Sequence, residues 1–362
     1  MTPRTSPLGV VVVGYGYWGP NIVRNVMERP ELELIALCER DPAQVRRFEA
    51  RTPGVPSSDD FDALLADPRV DAVCIATPPR THYALARKAL EAGKHVLVEK
   101  PLATAVEDAE ALVDLAERKE LVLMPGHTFL YSPPVNKIHD LITSGELGEI
   151  YFVTSSRMNL GLYQADGVVC DLAPHDLSIL LYWLDRRVAS VSAAGCTVFD
   201  PDVAETAFLT LRFEDGPSAN VQVSWLAPRK VRQMIIVGSR KMVQYDDTMP
   251  DGAVRIYDRG LDMEVVQEPA NFGEHRLTYR SGDIVAPRID AAEPLSLELA
   301  DFANSILTGA RPRSHSRLGL EIVRVLAAAE ASLAGSGEPV VISREGTLVS
   351  KAAPLGPDTR AA

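Results

Sequence analysis

Cysteine is scarce: four in 362 residues (Cys38, Cys74, Cys170 and Cys196), with no C-x-x-C pair among them. Neither a zinc site nor a redox dithiol is therefore indicated, and no metal is expected. Cys38 and Cys74 lie in apolar, strand-like runs and are expected as buried small hydrophobes. Long hydrophobic runs are also missing: nothing approaches the roughly 18 residues of a membrane span. The apolar stretch Val10–Val13 is too short for a signal-peptide core. A basic excess is lacking, since 37 Lys+Arg face 49 Asp+Glu for a formal charge of −12. That balance argues against a nucleic-acid partner and against an anionic membrane surface. A cytoplasmic protein with reduced thiols is expected. Hydrophobic residues at 46% and charged residues at 24% exclude wholesale disorder. At roughly 150 residues per domain the length suggests about two domains.

The first 125 or so residues alternate strand and helix patterns. Val10–Val13 is a β-branched run, and Pro20 opens a helix with Ile22, Val23, Val26 and Met27 on one face. Leu34–Cys38 is the next strand, and Asp41-Pro42 caps and opens the following helix. Val70–Ala76 is a buried-strand pattern, with a helix from Thr81 to about Gly93. Val96–Val98 follows, then a capping box of Thr104 and Glu107, then the strand Leu121–Met124. This alternation predicts α/β architecture with a parallel sheet covered on both faces.

After Pro125 the pattern changes. Helices are expected over Pro133–Ser144 and His175–Leu184, and a strand over Ile150–Ser155. Strand-like runs follow at Val188–Ala193, Thr206–Phe213, Ala219–Trp225, Gln233–Val237 and Met242–Tyr245, which predicts a large, mostly antiparallel open sheet in an α+β domain. Helices Leu295–Leu307 and Leu318–Leu333 close it, the second with Gly335 as a stop. The expected division is residues 1–125, 126–350 and a frayed tail at 351–362.

Gly14-Tyr15-Gly16-Tyr17-Trp18-Gly19 is a G-x-G-x-x-G that follows a β-branched strand and opens a helix. This is the Rossmann dinucleotide context. The first glycine makes the tight turn, the second admits a pyrophosphate, and the third lets helix pack on strand. Glu39 stands twenty residues beyond Gly19, where a carboxylate accepts from the adenosine ribose and repels a 2′-phosphate. NAD is favoured over NADP, although Arg40 could pair with a 2′-phosphate or stack on adenine.

Glu99-Lys100-Pro101 directly follow the strand His95–Val98. Together with the fingerprint, Thr77-Pro78-Pro79, and Asp171 with His175, they make the chain resemble the Gfo/Idh/MocA oxidoreductases over nearly its whole length. Within that family, Gly14–Asn25 (GYGYWGPNIVRN), Gly126–Pro133 (GHTFLYSP), Arg157–Gly161 (RMNLG), Asp171–Leu180 (DLAPHDLSIL) and Val237–Tyr245 (VGSRKMVQY) look like the sugar-nucleotide 3-dehydrogenases. Those enzymes oxidise C3 of UDP-N-acetylglucosaminuronate or similar hexoses. Cys170 departs from that subgroup, which often places a bulky aromatic before the Asp. The related C3-ketoreductases run the chemistry in reverse. The resemblance also implies homodimers or homotetramers built through the C-terminal sheet.

A secondary alcohol giving up hydride needs a base for its O–H proton and a donor for the developing alkoxide. The resemblance implies Lys100 on the reacting oxygen. His175 is the expected base, and Asp171, four residues earlier, would orient it or bind a sugar hydroxyl. Tyr17, Trp18, Thr77, Pro78 and His82 are further cofactor candidates, His82 alternatively as a helix cap. Glu99 is expected to support the backbone there. His127, Tyr131, Arg157 and Asn159 are substrate candidates, and Asp176 a cap or supporting residue. Arg229, Lys230 and Arg232 form a basic cluster that could bind a diphosphate or be a solvated loop. A cyclitol dehydrogenase and a non-catalytic NAD-sensing regulator remain as alternatives on the same fold.

Overall fold

The computed structural model of the chain describes residues 6–161, 167–200, 203–249, 251–264 and 276–350. The expected frayed tail lies outside these residues. The first half runs β1 (Leu8–Val13), α1 (Gly19–Glu28), β2 (Leu32–Cys38), α2 (Pro42–Arg51), β3 (Ser57–Ser58), α3 (Phe61–Ala66), β4 (Ala72–Ile75), α4 (His82–Glu91), β5 (His95–Glu99), α5 (Val106–Arg118) and β6 (Leu123–Gly126). These strands form a parallel sheet in the order β3-β2-β1-β4-β5-β6.

Every residue of β1 is buried, whichever way its side chain points. A strand covered on both faces reads as an unbroken apolar run rather than an alternation, which is why β1 and β4 are legible as valine-rich blocks. One face carries Val11, Val13, Val73, Ile75, Val96 and Val98, packed with Ala86, Ala89 and Leu90 of α4 and Leu112 and Val113 of α5. The strand order reverses between β1 and β4. Their carboxyl ends therefore diverge into the crevice where open α/β sheets take ligands.

Local details depart from the sequence reading in two places and agree with it in a third. Met27 is 53% exposed, because the buried stripe of α1 is Ile22, Val23, Asn25 and Val26. The Thr104/Glu107 capping box does not form: α5 is entered through Ala105, with no side-chain cap. Asp41 does cap α2, accepting from the Ala43 N–H at 2.8 Å.

The second half runs α6 (Pro133–Thr143), β7 (Ile150–Leu160), α7 (Gly167–Leu184), β8 (Val188–Cys196), β9 (Thr206–Phe213), β10 (Ser218–Ser224), β11 (Leu226–Gly238), β12 (Met242–Asp246), β13 (Val254–Glu264), β14 (Arg276–Val285), α8 (Pro294–Thr308), α9 (Ser316–Ala334), β15 (Val340–Ile342) and β16 (Leu348–Ser350). Its strands form one ten-stranded sheet, β14-β13-β12-β11-β7-β10-β9-β8-β15-β16, antiparallel throughout except where β7 meets β10. β9 alternates buried and solvent-facing residues, so one face of the sheet is packed and the other open. β13, β14, β15 and β16 are additions to the expected strands.

Two compact units result: Met1–Ser132 with Ala291–Arg324, and Pro133–Asp290 with Val325–Ala362. The expected boundary at 125/126 thus falls at 132/133, and residues 291–324 return to the first unit. Leu295, Leu299 and Phe302 of α8 are buried, and Glu293 at its start accepts from Asn25 at 3.1 Å and pairs with Arg24. Glycine at 309, with φ of 74°, closes α8 in the left-handed cap geometry.

Candidate active site

The fingerprint loop leaves the buried β1 at its carboxyl end. Gly14 has φ of 93°, and a Cβ there would lie 2.7 Å from the Ala76 carbonyl oxygen. A Cβ on Gly19 would lie 2.3 Å from the Gly14 carbonyl oxygen. Both glycines are therefore demanded by the fold itself. Gly16 is different: a Cβ there meets nothing within 4 Å. The space above Gly16, beside the N-terminus of α1, is open, as a pyrophosphate approaching backbone N–H groups would require. Tyr17 is 88% exposed and Trp18 borders the same loop, their rings edge to face at 5.8 Å.

Glu39 directly follows β2 with its carboxylate already oriented. Oε2 accepts from the Tyr15 N–H at 2.7 Å, and Oε1 from the N–H groups of Arg40 and Asp41 at 2.7 and 2.9 Å. A carboxylate has about four acceptor sites, so one more donor, such as a ribose hydroxyl, can be taken without disturbing these bonds. Arg40 is exposed.

Thr77 and Pro78 follow β4, and Lys100 follows β5, on the same carboxyl edge of the sheet. His82 was an expected cofactor contact or cap. It is instead fully buried, with Nδ1 2.8 Å from the Pro101 carbonyl oxygen and Nε2 2.8 Å from that of Thr77. The ring sits between two edge loops; burial holds its pKa below the usual histidine value against the pull of the two carbonyls, and the neutral ring donates to one of them.

Behind Lys100 lies a group of buried ionisable side chains. Burial pushes Glu99 up to about 7, opposed by the Lys100 ammonium and the Lys100 backbone N–H. Glu298 of α8 is 0% exposed and accepts from the Thr128 hydroxyl at 2.7 Å. Burial, with the charge of Glu99, raises its pKa well above the carboxylate range. His127 is pushed down to about 3 by burial and by Lys100, so its ring is neutral. His127 was an expected substrate contact, but at 1% exposure it is enclosed in the first unit, because the strand β6 runs directly into it.

Glu298 yields a stability prediction. Its folded pKa lies above the unfolded value, so the native state binds a proton that the unfolded chain releases. Stability is then fully present below the unfolded pKa of about 4.5 and declines as pH rises towards the folded pKa, by up to about 1.4 kcal/mol per pH unit. Glu298→Gln keeps an acceptor for Thr128 and cannot ionise. The melting temperature of the variant minus that of the wild type is expected to grow between pH 5 and 8. A difference flat with pH would show that Glu298 is not held protonated.

Tyr131, another expected substrate contact, is 2% exposed and donates its O–H to Asp301 Oδ2 at 2.8 Å while accepting from the Ser314 N–H at 3.1 Å. It ties α8 to the segment before α9. Arg157, also expected to meet substrate, is 4% exposed and gives Nε and Nη2 to Asp176 Oδ1 at 3.0 and 2.8 Å. That buried pair joins β7 to α7 and gives Asp176 its role; cutting one partner of such a pair typically costs about 3–5 kcal/mol.

Asp171 and His175 are both half-buried on α7, which begins at Gly167 and carries Pro174 within it rather than starting at His175. At i and i+4 they share one helix face. Trp225, in the bend between β10 and β11, donates its indole N–H to Asp171 Oδ2 at 3.0 Å. Sequence reasoning saw Trp225 only as a strand end; its signal was that a buried indole N–H requires an acceptor. Asn159 is half-buried near the end of β7. Of the basic cluster, Arg232 pairs with Asp247 at 3.0 Å, while Arg229 and Lys230 are exposed. Cys170 Sγ lies 3.8 Å from Glu330 Oε1, and among the described residues no cluster of acids, histidines and cysteines could hold a metal. No helix among them is long and apolar enough to cross a membrane.

Comparison with known proteins agrees with this geometry. Residues 8–127 match the GFO_IDH_MocA profile, an oxidoreductase family with an NAD-binding Rossmann fold, and residues 135–244 match the GFO/IDH/MocA C-terminal domain. A 1-carboxy-3-chloro-3,4-dihydroxycyclohexa-1,5-diene dehydrogenase of Comamonas testosteroni is 33% identical over 214 residues, covering 56% of this chain and 54% of that protein. The chain therefore spans about half the length of that relative. UDP-N-acetylglucosamine 3-dehydrogenase of Acidithiobacillus ferrooxidans is 32% identical over 256 residues, covering 69% of this chain and 76% of that protein. The structure of GenD2 from gentamicin A biosynthesis, in complex with NAD, shares the fold with a TM-score of 0.78 at 24% identity, covering 95% of this chain and 99% of that one. The chain belongs to the GFO/IDH/MocA family of NAD-binding oxidoreductases.

Proposed function

We propose that the chain interconverts a ring secondary alcohol and its ketone, at C3 of a hexose carried as a sugar nucleotide. The observation that carries this reading is the placement of Lys100 on the carboxyl edge of the parallel sheet, alongside the Gly16 and Thr77 loops. Gly14, Gly16, Gly19, Tyr17, Trp18, Glu39, Arg40, Thr77, Pro78, Glu99 and Lys100 would hold NAD, which when bound supplies a hydride acceptor or donor. The Lys100 ammonium hydrogen-bonds the reacting oxygen and steadies the charge that develops on it. His175 takes the hydroxyl proton on its imidazole, and Asp171 orients that ring. Asn159 is proposed to meet the sugar. The named activity of the Acidithiobacillus relative supports the choice of C3 and of a nucleotide sugar.

A second copy of the chain is proposed to cover the open sheet face. Strand register places Phe152, Ile235 and Phe208 on that same face, each at least 39% exposed. Uncovered aromatic and aliphatic groups of this kind mark association surfaces.

The experiment is thermal protection of the NAD-loaded protein. UDP at a hundred times its Kd is expected to stabilise by about 2.7 kcal/mol, a rise of a few degrees in Tm, while myo-inositol gives none. Protection by myo-inositol and not by UDP would replace the nucleotide-sugar reading with a cyclitol one.

A further inference from the structure

We propose that Trp225 is a positioning residue that fixes the direction of Asp171, one helical turn from His175, through its indole N–H; this rests on the reading of His175 as the base. The indole is 3% exposed and its place is fixed from several sides. The Trp225 backbone N–H donates to the Glu205 carbonyl at 2.9 Å, and the Trp225 carbonyl accepts from the Gly161 N–H at 3.1 Å. The bend that carries it is pinned by Ser224, whose Oγ accepts from the Leu226 N–H at 3.0 Å and lies 2.7 Å from Thr206 Oγ1. Gly161 completes the seat: a Cβ there would lie 2.8 Å from the indole Cδ1. From this fixed position Nε1 reaches Asp171 Oδ2 at 3.0 Å.

A carboxylate on the same helix face as His175 favours the imidazolium and so raises the pKa of the base. Its effect depends on where the carboxylate points. Among the described residues, Asp176 pairs with Arg157, and Glu330 of α9 lies beside Cys170. Asp171 lies one turn from His175 on the same face of α7, and Trp225 sets its direction. Trp225→Phe removes the N–H and keeps an aromatic ring. Asp171 then loses its tether, the imidazolium is less favoured, and the His175 pKa falls.

The test is a double-mutant cycle read first without any substrate. The His175 titration is followed by NMR on histidine-labelled protein, assigned with His175→Gln. Trp225→Phe is expected to lower the His175 pKa, and the same change in an Asp171→Asn background is expected to do nothing further. With UDP-N-acetylglucosamine as the probe alcohol, Trp225→Phe should cost about tenfold in kcat/KM and move the acid limb to lower pH, a loss within the range for a hydrogen bond to a charged group. Gly161→Ala, which pushes the indole aside, should reproduce both effects if the Phe variant folds poorly. An unchanged His175 pKa, or an equal loss in both backgrounds, overturns the proposal. NMR coupling without turnover of the probe leaves the positioning role standing and counts against the proposed reaction.

Discussion

Lys100→Met is expected to lower turnover by at least about a hundredfold, the usual scale for losing a positioned proton-handling group, while NAD still binds. Methionine keeps the length and apolar stem of lysine and removes only the ammonium. The backbone around it is held by groups the substitution leaves alone. Glu99 pairs with Gly126 in the strand register, and the Pro101 carbonyl is fixed by His82. A loss in kcat that far exceeds any rise in the dissociation constant for NAD, measured by fluorescence quenching, would place the ammonium at the reacting oxygen. Turnover like that of the wild type would remove Lys100 from the chemistry. Removing the ammonium also takes away a charge that holds down the pKa values of Glu99 and His127, so the pH dependence of the residual rate should change as well.

Gly16→Val is expected to abolish cofactor binding without unfolding the protein. The three fingerprint glycines have different reasons to be glycine. At Gly14 the backbone is left-handed and crowded by the Ala76 carbonyl, and at Gly19 a Cβ would collide with the Gly14 carbonyl oxygen. Substitution at either would damage the fold. Gly16 is outside the left-handed region and faces open space, so a valine there costs the apoprotein little. The added methyls occupy the approach to the helix N-terminus, where the pyrophosphate would lie. The apoprotein should keep its melting temperature while the NAD dissociation constant rises at least about a hundredfold, or about 2.7 kcal/mol. A melting temperature well below that of the wild type would show that Gly16 serves the fold rather than the ligand.

The two expectations draw on features of unequal legibility. The parallel sheet was readable because strands buried on both faces leave continuous apolar blocks, as in Val10–Val13, and because glycine spacing reports backbone geometry directly. The antiparallel sheet was readable as far as its strands alternate, as β9 does. β13, with the sequence VRIYDRGLDME, mixes charge and apolar residues without a clean period and escaped. The return of α8 to the first unit was not legible, since it rests on pairings such as Thr128 with Glu298, 170 residues apart. The same limit explains Arg157, Tyr131 and His127. Each has the chemistry of a substrate contact, and only the fold shows how deeply it is buried and which side chains it meets. Asp171 and His175 were legible as a spacing, whereas the indole that aims Asp171 comes from a bend 54 residues away.

The central claim is that this chain moves a hydride between C3 of a hexose ring and NAD. Its most direct test is turnover of UDP-N-acetylglucosamine carrying deuterium at C3, with mass spectrometry of the cofactor afterwards. One deuterium is expected in the reduced nicotinamide, and the reaction is expected to slow relative to the protiated sugar. Reduced cofactor that carries no deuterium, or turnover that releases the label to water, would contradict it.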